Sequence, residues 1–253
     1  MIRSITSYDF GGGAALYVTG NFTQAGGQAA TSLARWDGTG WSALGGGLSQ
    51  SNFFGVNGHT VLGFDDGTGP ALYVGGAFDR AGGQPVSNFA RWNGSAWQDI
   101  GGSALVVLAT AVLDDGTGPA LYAGGGFQSF GGVDANRVAR WDGAAWSGLG
   151  SGLNGAVWSL MGYDDGDGPA LLTGGDFATA GGSPASRIAR WSCAAAGGPA
   201  DLDGNGLLNF FDVAAYIALY NAGDPAADLA PPFGVFNFFD IAAYMALYND
   251  GCP

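Results

Sequence analysis

The 253-residue chain reads as mainly β, an open arc or ring of about four four-stranded units, with a small α-helical module at its C-terminus. Three observations carry this reading. One segment recurs four times within residues 1–192. Each recurrence holds several short apolar runs broken by Gly, Asp or Pro, which is the punctuation of strands and tight turns. The composition then changes near residue 193, after which residues 201–253 carry seven Asp and no basic residue. The boundaries are therefore 1–192 for the repeats and 193–253 for the tail.

The recurring segment is LYVTGNFTQAGG (16–27), LYVGGAFDRAGG (72–83), LYAGGGFQSFGG (121–132) and LLTGGDFATAGG (171–182). Each copy leads to an Ala-Arg-Trp triplet, at Arg35-Trp36, Arg91-Trp92, Arg140-Trp141 and Arg190-Trp191. This sets units of about 1–48, 49–102, 103–152 and 153–192. Three units continue to a second Trp five residues on, at Trp41, Trp97 and Trp146, whereas the fourth runs into Ser192-Cys193. Asp-Asp-Gly turns precede the last three copies, as DDGTGPA at 65–71 and 114–120 and DDGDGPA at 164–170.

Each unit has four apolar runs and so predicts four strands. A single sheet cannot bury both faces, so neighbours must stack, and the Gly and Ala content permits close approach. Four-stranded units repeating at this length are those of a β-propeller, of kelch-like length but without the kelch diglycine-Tyr-Trp pattern. Four is a minimum for a ring, and the fourth unit lacks its last strand. Two expectations follow: upstream units and a signal peptide belong to a longer protein, or the strand around Ile2 to Tyr8 closes a small ring.

Charge narrows the partners. All acidic residues are Asp and all basic ones Arg, for a net charge of -13. Sequence-independent nucleic-acid binding needs clustered cations to neutralise phosphates, so no nucleic-acid partner is expected. Divalent cations suit this surface better. The most apolar stretch, Ala104 to Leu113, is half of the roughly 20 residues that a spanning helix needs, so it reads as a buried strand and no membrane span is expected. Met1-Ile2-Arg3 leads into polar residues without the apolar core of a signal peptide.

The tail opens with DLDGNGLLNFFD at 201–212. Calcium takes about six to eight oxygen ligands, and a twelve-residue loop delivers them from positions 1, 3, 5, 7, 9 and 12 around a Gly at 6. Asp201, Asp203, Asn205, the Leu207 carbonyl, Asn209 and Asp212 fall on those positions, with Gly206 at the turn. Two features depart from an EF-hand. Position 12 is Asp, and AAAGGPA at 194–200 cannot form an entering helix. Downstream, Phe210, Val213, Ile217 and Tyr220 make one apolar stripe of an exit helix.

The unit occurs twice, because NFFDVAAYIALYN (209–221) recurs as NFFDIAAYMALYN (237–249). Counting back from Asp240 puts Leu229, Pro231 and Phe233 at positions 1, 3 and 5 of the second loop, with Asp228 displaced by one residue. One tight Ca²⁺ site and a second, weak or empty loop are therefore expected, the latter shaped by Pro231-Pro232 and an inward Phe233. Cys193 and Cys252 flank the segment and are read as a staple around a module with little core, against the alternative of two free buried thiols.

A tandem of calcium loops without entering helices, with Asp at position 12 and a terminal Gly-Cys-Pro, resembles the dockerin domain. The resemblance covers only about residues 193–253. It implies calcium-dependent docking to a cohesin-like or surface scaffold protein, and an extracellular or cell-surface location. In that family, loop positions 10 and 11 select the partner. Here they are Phe210-Phe211 and Phe238-Phe239, which form an apolar docking patch or pack within the protein.

Other motifs have plainer readings. The Asp-Asp-Gly turns suit turn chemistry better than cation binding, with Asp164, Asp165 and Asp167 the most charged. The repeated Trp residues suit packing between units better than sugar stacking, although a glycan partner stays open. The repeated arginines suit a structural contact such as stacking on a neighbouring Trp. With His59 the single histidine, most nucleophile-base schemes lack members, and no catalytic residue is assigned. The sequence thus points to a secreted, non-catalytic docking protein whose repeats display a binding surface. The alternative is an N-terminally truncated extracellular polysaccharide-acting enzyme.

Overall fold

Each repeat folds as an antiparallel meander because its apolar runs are short and the turns between them are dictated by Asp and Gly. The computed structural model describes the chain except residues 52–56, 104, 116–117, 165–167, 193–199, 201, 203–209 and 252–253. In unit 2, Asn57–Asp65, Pro70–Ala77, Phe89–Trp92 and Trp97–Gln98 lie side by side in chain order. Unit 1 repeats this with Ile2–Tyr8, Ala15–Gly20, Leu33–Trp36 and Trp41–Ala43. Unit 3 does so with Val107–Asp114, Pro119–Gly125, Val138–Trp141 and Trp146–Gly148. In unit 4 the described strands are Val157–Asp164, Pro169–Gly175 and Ile188–Ser192.

The AGG segment adds an element that strand counting missed. In unit 3, Ser129–Phe130 and Val133–Asp134 form a small hairpin. Gly131 and Gly132 turn it with φ of 57° and 87°, the left-handed pair that a two-residue hairpin requires.

The sheets stack face to face through their first strands. Ser4 Oγ donates to Val61 O at 3.4 Å, and the Thr60 and Thr110 hydroxyls meet at 2.6 Å. Glycine allows this approach: a Cβ on Gly75 would stand 2.7 Å from Val107 Cγ1, and one on Gly124 the same distance from Val157 Cγ1. The core accordingly lies between units. Leu33 and Leu48 pack with Leu72 and Phe78 of unit 2. Tyr73 and Phe89 pack with Leu121, Phe127 and Trp146 of unit 3, and Tyr122 and Val138 with Val157 and Leu171 of unit 4.

Stacking leaves two end faces open, and they are opposite in kind. Leu16 of unit 1 is 38 % exposed, whereas its equivalents Leu72, Leu121 and Leu171 are wholly buried. At the other end Ile188 is 72 % exposed, whereas its equivalents Phe89 and Val138 are buried. Ile2 and Ile5 share the first face, and Met161 and Tyr163 the second. Strand Ile2–Tyr8 pairs with Ala15–Gly20 in the sheet of its own unit, so it does not close a small ring by completing the fourth sheet. The other edge of Ile2–Tyr8 pairs with no strand among the described residues.

The tail consists of α1 (Phe210–Ala222), a 3₁₀ turn at Pro225–Ala227 and α2 (Phe238–Gly251). The expected stripe on α1 is corrected in one respect. Ile217 faces outward, and Tyr216 takes the buried place. The reason is tertiary: Tyr216 stacks on Tyr244 of α2 with ring centroids 4.0 Å apart and planes 5° from parallel. No described helix is long and apolar enough to cross a membrane.

Candidate functional site

The two loop-helix units of the tail are related by a local two-fold through the Tyr pair. Tyr216 donates its hydroxyl to Ala227 O at 3.1 Å, and Tyr244 donates to Ala200 O at 3.2 Å. Each hydroxyl thus anchors the residue just before the other unit's loop. The symmetry extends to the loops, because Asp212 Oδ1 accepts from Leu202 N at 3.0 Å as Asp240 Oδ1 accepts from Leu229 N at 2.9 Å. Ala200-Asp201-Leu202 therefore matches Ala227-Asp228-Leu229. The second loop is one residue longer than the first, and Asp228, not Leu229, is the counterpart of Asp201. Counting back from Asp240 missed this insertion, which only the pairing of the two units reveals.

The second loop is organised by its own hydrogen bonds. Asn237 caps α2 by accepting from Phe239 N at 2.8 Å, and Asp240 Oδ2 accepts in return from Asn237 N at 2.9 Å, a capping box. Ala230 N also donates to Asp240 Oδ1 at 2.9 Å. Amide donors from Asn237, Ala230 and Leu229 hold the Asp240 carboxyl below the usual carboxylate range. Asp228 Oδ2 accepts from Gly234 N, and its Oδ1 is enclosed without a hydrogen-bond partner among the described residues.

A lowered carboxyl pKa supports folding above the unfolded value of about 4, and that support is lost as pH falls through the folded value. Acid is therefore expected to loosen the second loop, with amide exchange at Leu229 and Ala230 rising as pH drops below about 4. Asp240→Asn should flatten that dependence.

Phe233 does not turn inward; it is exposed, and the loop is held by Asp240 and Asp228 instead. The Pro231-Pro232 bond is cis. Phe238 and Phe239 are 74 % and 64 % exposed, their rings 6.5 Å apart, with Phe233 and Val235 also at the surface. The side chains of Phe210 and Phe211 lie outside the description. So do Asp201, Asp203, Asn205, Leu207, Asn209, Cys193 and Cys252. Of the first-loop ligand set the structure places Asp212, whose carboxylate is fully buried at the start of α1. Buried carboxylate, further carboxylates and amide oxygens at alternate positions make a donor set that fits a hard cation.

In the repeats, the motifs assigned to turns and packing form a joint network between units. Asp65 Oδ1 accepts from Gly67 N and Gly69 N at 3.0 Å, which is turn chemistry. Asp66 does something else. It accepts from Thr68 N at 3.1 Å and from the indole of Trp141, one unit further on, at 3.0 Å, and lies 3.5 Å from the Arg91 guanidinium. Burial opposes its ionisation, but hydrogen bonds from Thr68, Tyr73 and Trp141 prevail and hold the carboxyl at about 2.

Arg91 in turn donates to Tyr73 Oη at 3.2 Å and Gln98 Oε1 at 2.6 Å. In unit 3, Arg140 Nε and Tyr122 Oη both donate to Asp115 Oδ2, at 3.2 and 3.0 Å. Arg91 and Arg140 therefore engage Asp and Tyr rather than stacking on Trp. The recurrence of Asp, Tyr and Arg at fixed places was the signal available in the sequence. Asp165 and Asp167 lie outside the described residues.

Trp97 and Trp146 donate their indole N–H across the unit boundary, to Gly45 O and Ile100 O at 2.8 Å each, which ties them to packing. Trp158 alone is an exposed exception, bonded to Asp176 Oδ2 at 2.9 Å. His59 sits beside Arg3, and burial together with that positive charge lowers its pKa to about 4, leaving it neutral near pH 7. Among the described residues no three His, Cys or Asp side chains converge as a metal group. A cleft of ≈ 550 Å³ between units 2 and 3 is lined by Asp66, Arg91, Gln98 and Trp141, which already satisfy one another. In comparisons with known proteins, no family model and no curated sequence matches this chain.

Proposed function

We propose that the protein is a non-catalytic extracellular docking protein whose dockerin-like tail binds one calcium ion and a cohesin-like or surface scaffold partner. Its repeats are part of a propeller-type ring that displays a binding surface for a glycan or protein. One observation carries the tail's role: two loop-helix units joined by reciprocal Tyr-to-carbonyl bonds, with a buried Asp at the same place in each. In the first unit, Asp201, Asp203, Asn205, the Leu207 carbonyl and Asn209 would join Asp212 around the ion. Calcium supplies a compact positive centre that lets these carboxylates converge without mutual repulsion. In the second unit, Asp228 and Asp240 are the carboxylates that remain, which supports a weak or empty loop there. Two such units expose an apolar surface at Phe238 and Phe239, the kind of desolvated aromatic pair that anchors interfaces.

The propeller reading is supported by the end faces. Units 1 and 4 expose opposite halves of the contact that is buried at each internal boundary, as consecutive members of a larger ring would.

The test is calcium titration of the full chain by calorimetry, followed by capture of scaffold proteins on the immobilised chain with calcium and with chelator. One tight site per chain is expected, abolished by Asp203→Ala, and capture should vanish with chelator. Phe238→Ser with Phe239→Ser should weaken capture at least tenfold while leaving the calcium stoichiometry unchanged. Two equivalent tight sites, or capture indifferent to chelator, would overturn the reading.

A further inference from the structure

Residues that recur in units 1 to 3 serve the architecture, so departures of one unit from its sisters point to something else. Three departures of unit 2 fall together. Its outer turn and strand carry Asn93, Gln98 and Asp99, where unit 1 has Asp37, Ser42 and Ala43 and unit 3 has Asp142, Ser147 and Gly148. All three side chains line the cleft of ≈ 550 Å³ between units 2 and 3, together with the enclosed Asp66, Arg91 and Trp141.

Apolar packing would suffice to close such a boundary. Between units 1 and 2, Phe10 stands at the place of Asp66, its ring edge-on to Tyr8 and Tyr17 with centroids 5.2 and 6.1 Å away. A Cβ on Gly94 would lie 3.2 Å from Phe10 Cδ1, so this ring reaches across to the turn of unit 2. Between units 2 and 3 the Asp66-Arg91 pair replaces the ring, although enclosing two charges carries a desolvation cost that a hydrophobic contact avoids. Stacking alone does not require a polar cleft here.

The cleft's exposed polar side chains are held at one end and free at the other. Asn93 Oδ1 accepts from Ser95 N at 3.0 Å and Ala96 N at 2.9 Å, Gln98 Oε1 from Arg91 at 2.6 Å, and Asp99 Oδ1 from Gly101 N at 3.0 Å. Each is fixed through one oxygen, while its other polar atom, Nδ2, Nε2 or Oδ2, bonds to no described residue. Two amide donors and a carboxylate acceptor fit hydroxyl groups, each of which both donates and accepts. Because the three side chains are already fixed, little ordering is left to oppose binding. Pro70 and Ile100 add apolar edges suited to the C–H face of a sugar ring. The volume lies within the roughly 300–1,000 Å³ of small-ligand sites. Asp66 and Arg91 offset each other, so Asp99 leaves the lining net negative, which disfavours an anionic ligand.

We propose that the cleft between units 2 and 3 binds a neutral oligosaccharide, whose hydroxyls accept from the Asn93 and Gln98 amides and donate to the Asp99 carboxylate. This deepens the reading of the repeats as a display surface and rests on it, but it requires neither calcium nor the tail.

The probes are neutral tetrasaccharides of glucose, mannose, galactose and xylose, titrated by calorimetry against the full chain with chelator present, beside a uronic-acid tetrasaccharide and tetralysine. Saturable one-to-one binding of at least one neutral probe is expected. The substitutions that test it borrow residues with which the sister units already fold. Asn93→Asp keeps the turn acceptor that Asp37 and Asp142 supply and removes the amide donor, so it should weaken binding at least tenfold with Tm unchanged. Gln98→Ser and Asp99→Ala should weaken it similarly, whereas Ser42→Ala in unit 1 should leave it unchanged. Absence of saturable binding of any saccharide up to millimolar concentration would overturn the proposal and, with it, the glycan reading of the repeats. Saccharide binding undiminished by the three unit 2 substitutions would overturn the cleft alone and leave the display reading standing. Equal or tighter binding of the uronate or of tetralysine would also overturn the proposal.

Discussion

Trp146→Ala is expected to lower stability by about 4 kcal/mol, the upper range for removing a large aromatic side chain from a core. Its indole contacts rings from two units, with centroids 4.4 Å from Phe130, 5.2 Å from Trp141 and 5.6 Å from Phe89. The substitution also leaves Ile100 O without its indole donor. Glycine at 131 makes the loss harder to repair, because no side chain there can move into the cavity. Thermal unfolding followed by near-ultraviolet dichroism checks this, since each kcal/mol moves Tm by about 2–4 °C in a chain of this size. Trp158→Ala is the control. That indole is 54 % exposed, so its loss should stay within about 1 kcal/mol. Equal effects at the two positions would refute the assignment of the repeated Trp residues to the boundary between units.

Asp66→Ala should cost about 3 kcal/mol or more, because it strands the Arg91 guanidinium, whose side chain is 6 % exposed, and removes the acceptor of the Trp141 indole. The paired change Asp66→Leu with Arg91→Met should cost less than Asp66→Ala alone, since it removes both charges at once. Arg187→Asn breaks an exposed ion pair with Asp176 and should change stability by no more than about 1 kcal/mol.

The pH dependence has a defined sign. Asp66 lies at about 2 against an unfolded 3.8, so its contribution is complete above the unfolded value and disappears as pH falls toward 2. Asp66→Ala should therefore remove part of the acid-induced loss of stability between those values. If the variant retains the full acid slope, the network is not what holds units 2 and 3 together.

Much of the architecture is written in the order of residues. The four LY segments, the Ala-Arg-Trp triplets and the doubled NFFD stretch are periodic in the chain, and periodic residue types produce periodic strands and helices wherever they occur. The structure returns the sheets at those places, with Val107–Asp114 the strand expected within the most apolar stretch. The extra hairpin at each Gly-Gly was also legible, because paired glycines between short runs demand a left-handed turn.

Other features depend on what lies across a boundary, and linear spacing does not carry that. Asp65 and Asp66 are adjacent and chemically identical. One caps a turn at the surface and the other is enclosed, because only Asp66 faces the Trp141 indole. Phe233 was expected inside for its hydrophobicity, but Asp240 and Asp228 already close the loop, and the ring is left outside.

By itself the sequence determined the places of the recurring strands and of the two tail helices, since each is a statement about residue type and spacing. Tertiary structure alone decided which Asp is buried, how the two tail helices pair and which end faces are exposed. Burial and register are properties of neighbouring surfaces, and those neighbours come from distant parts of the chain.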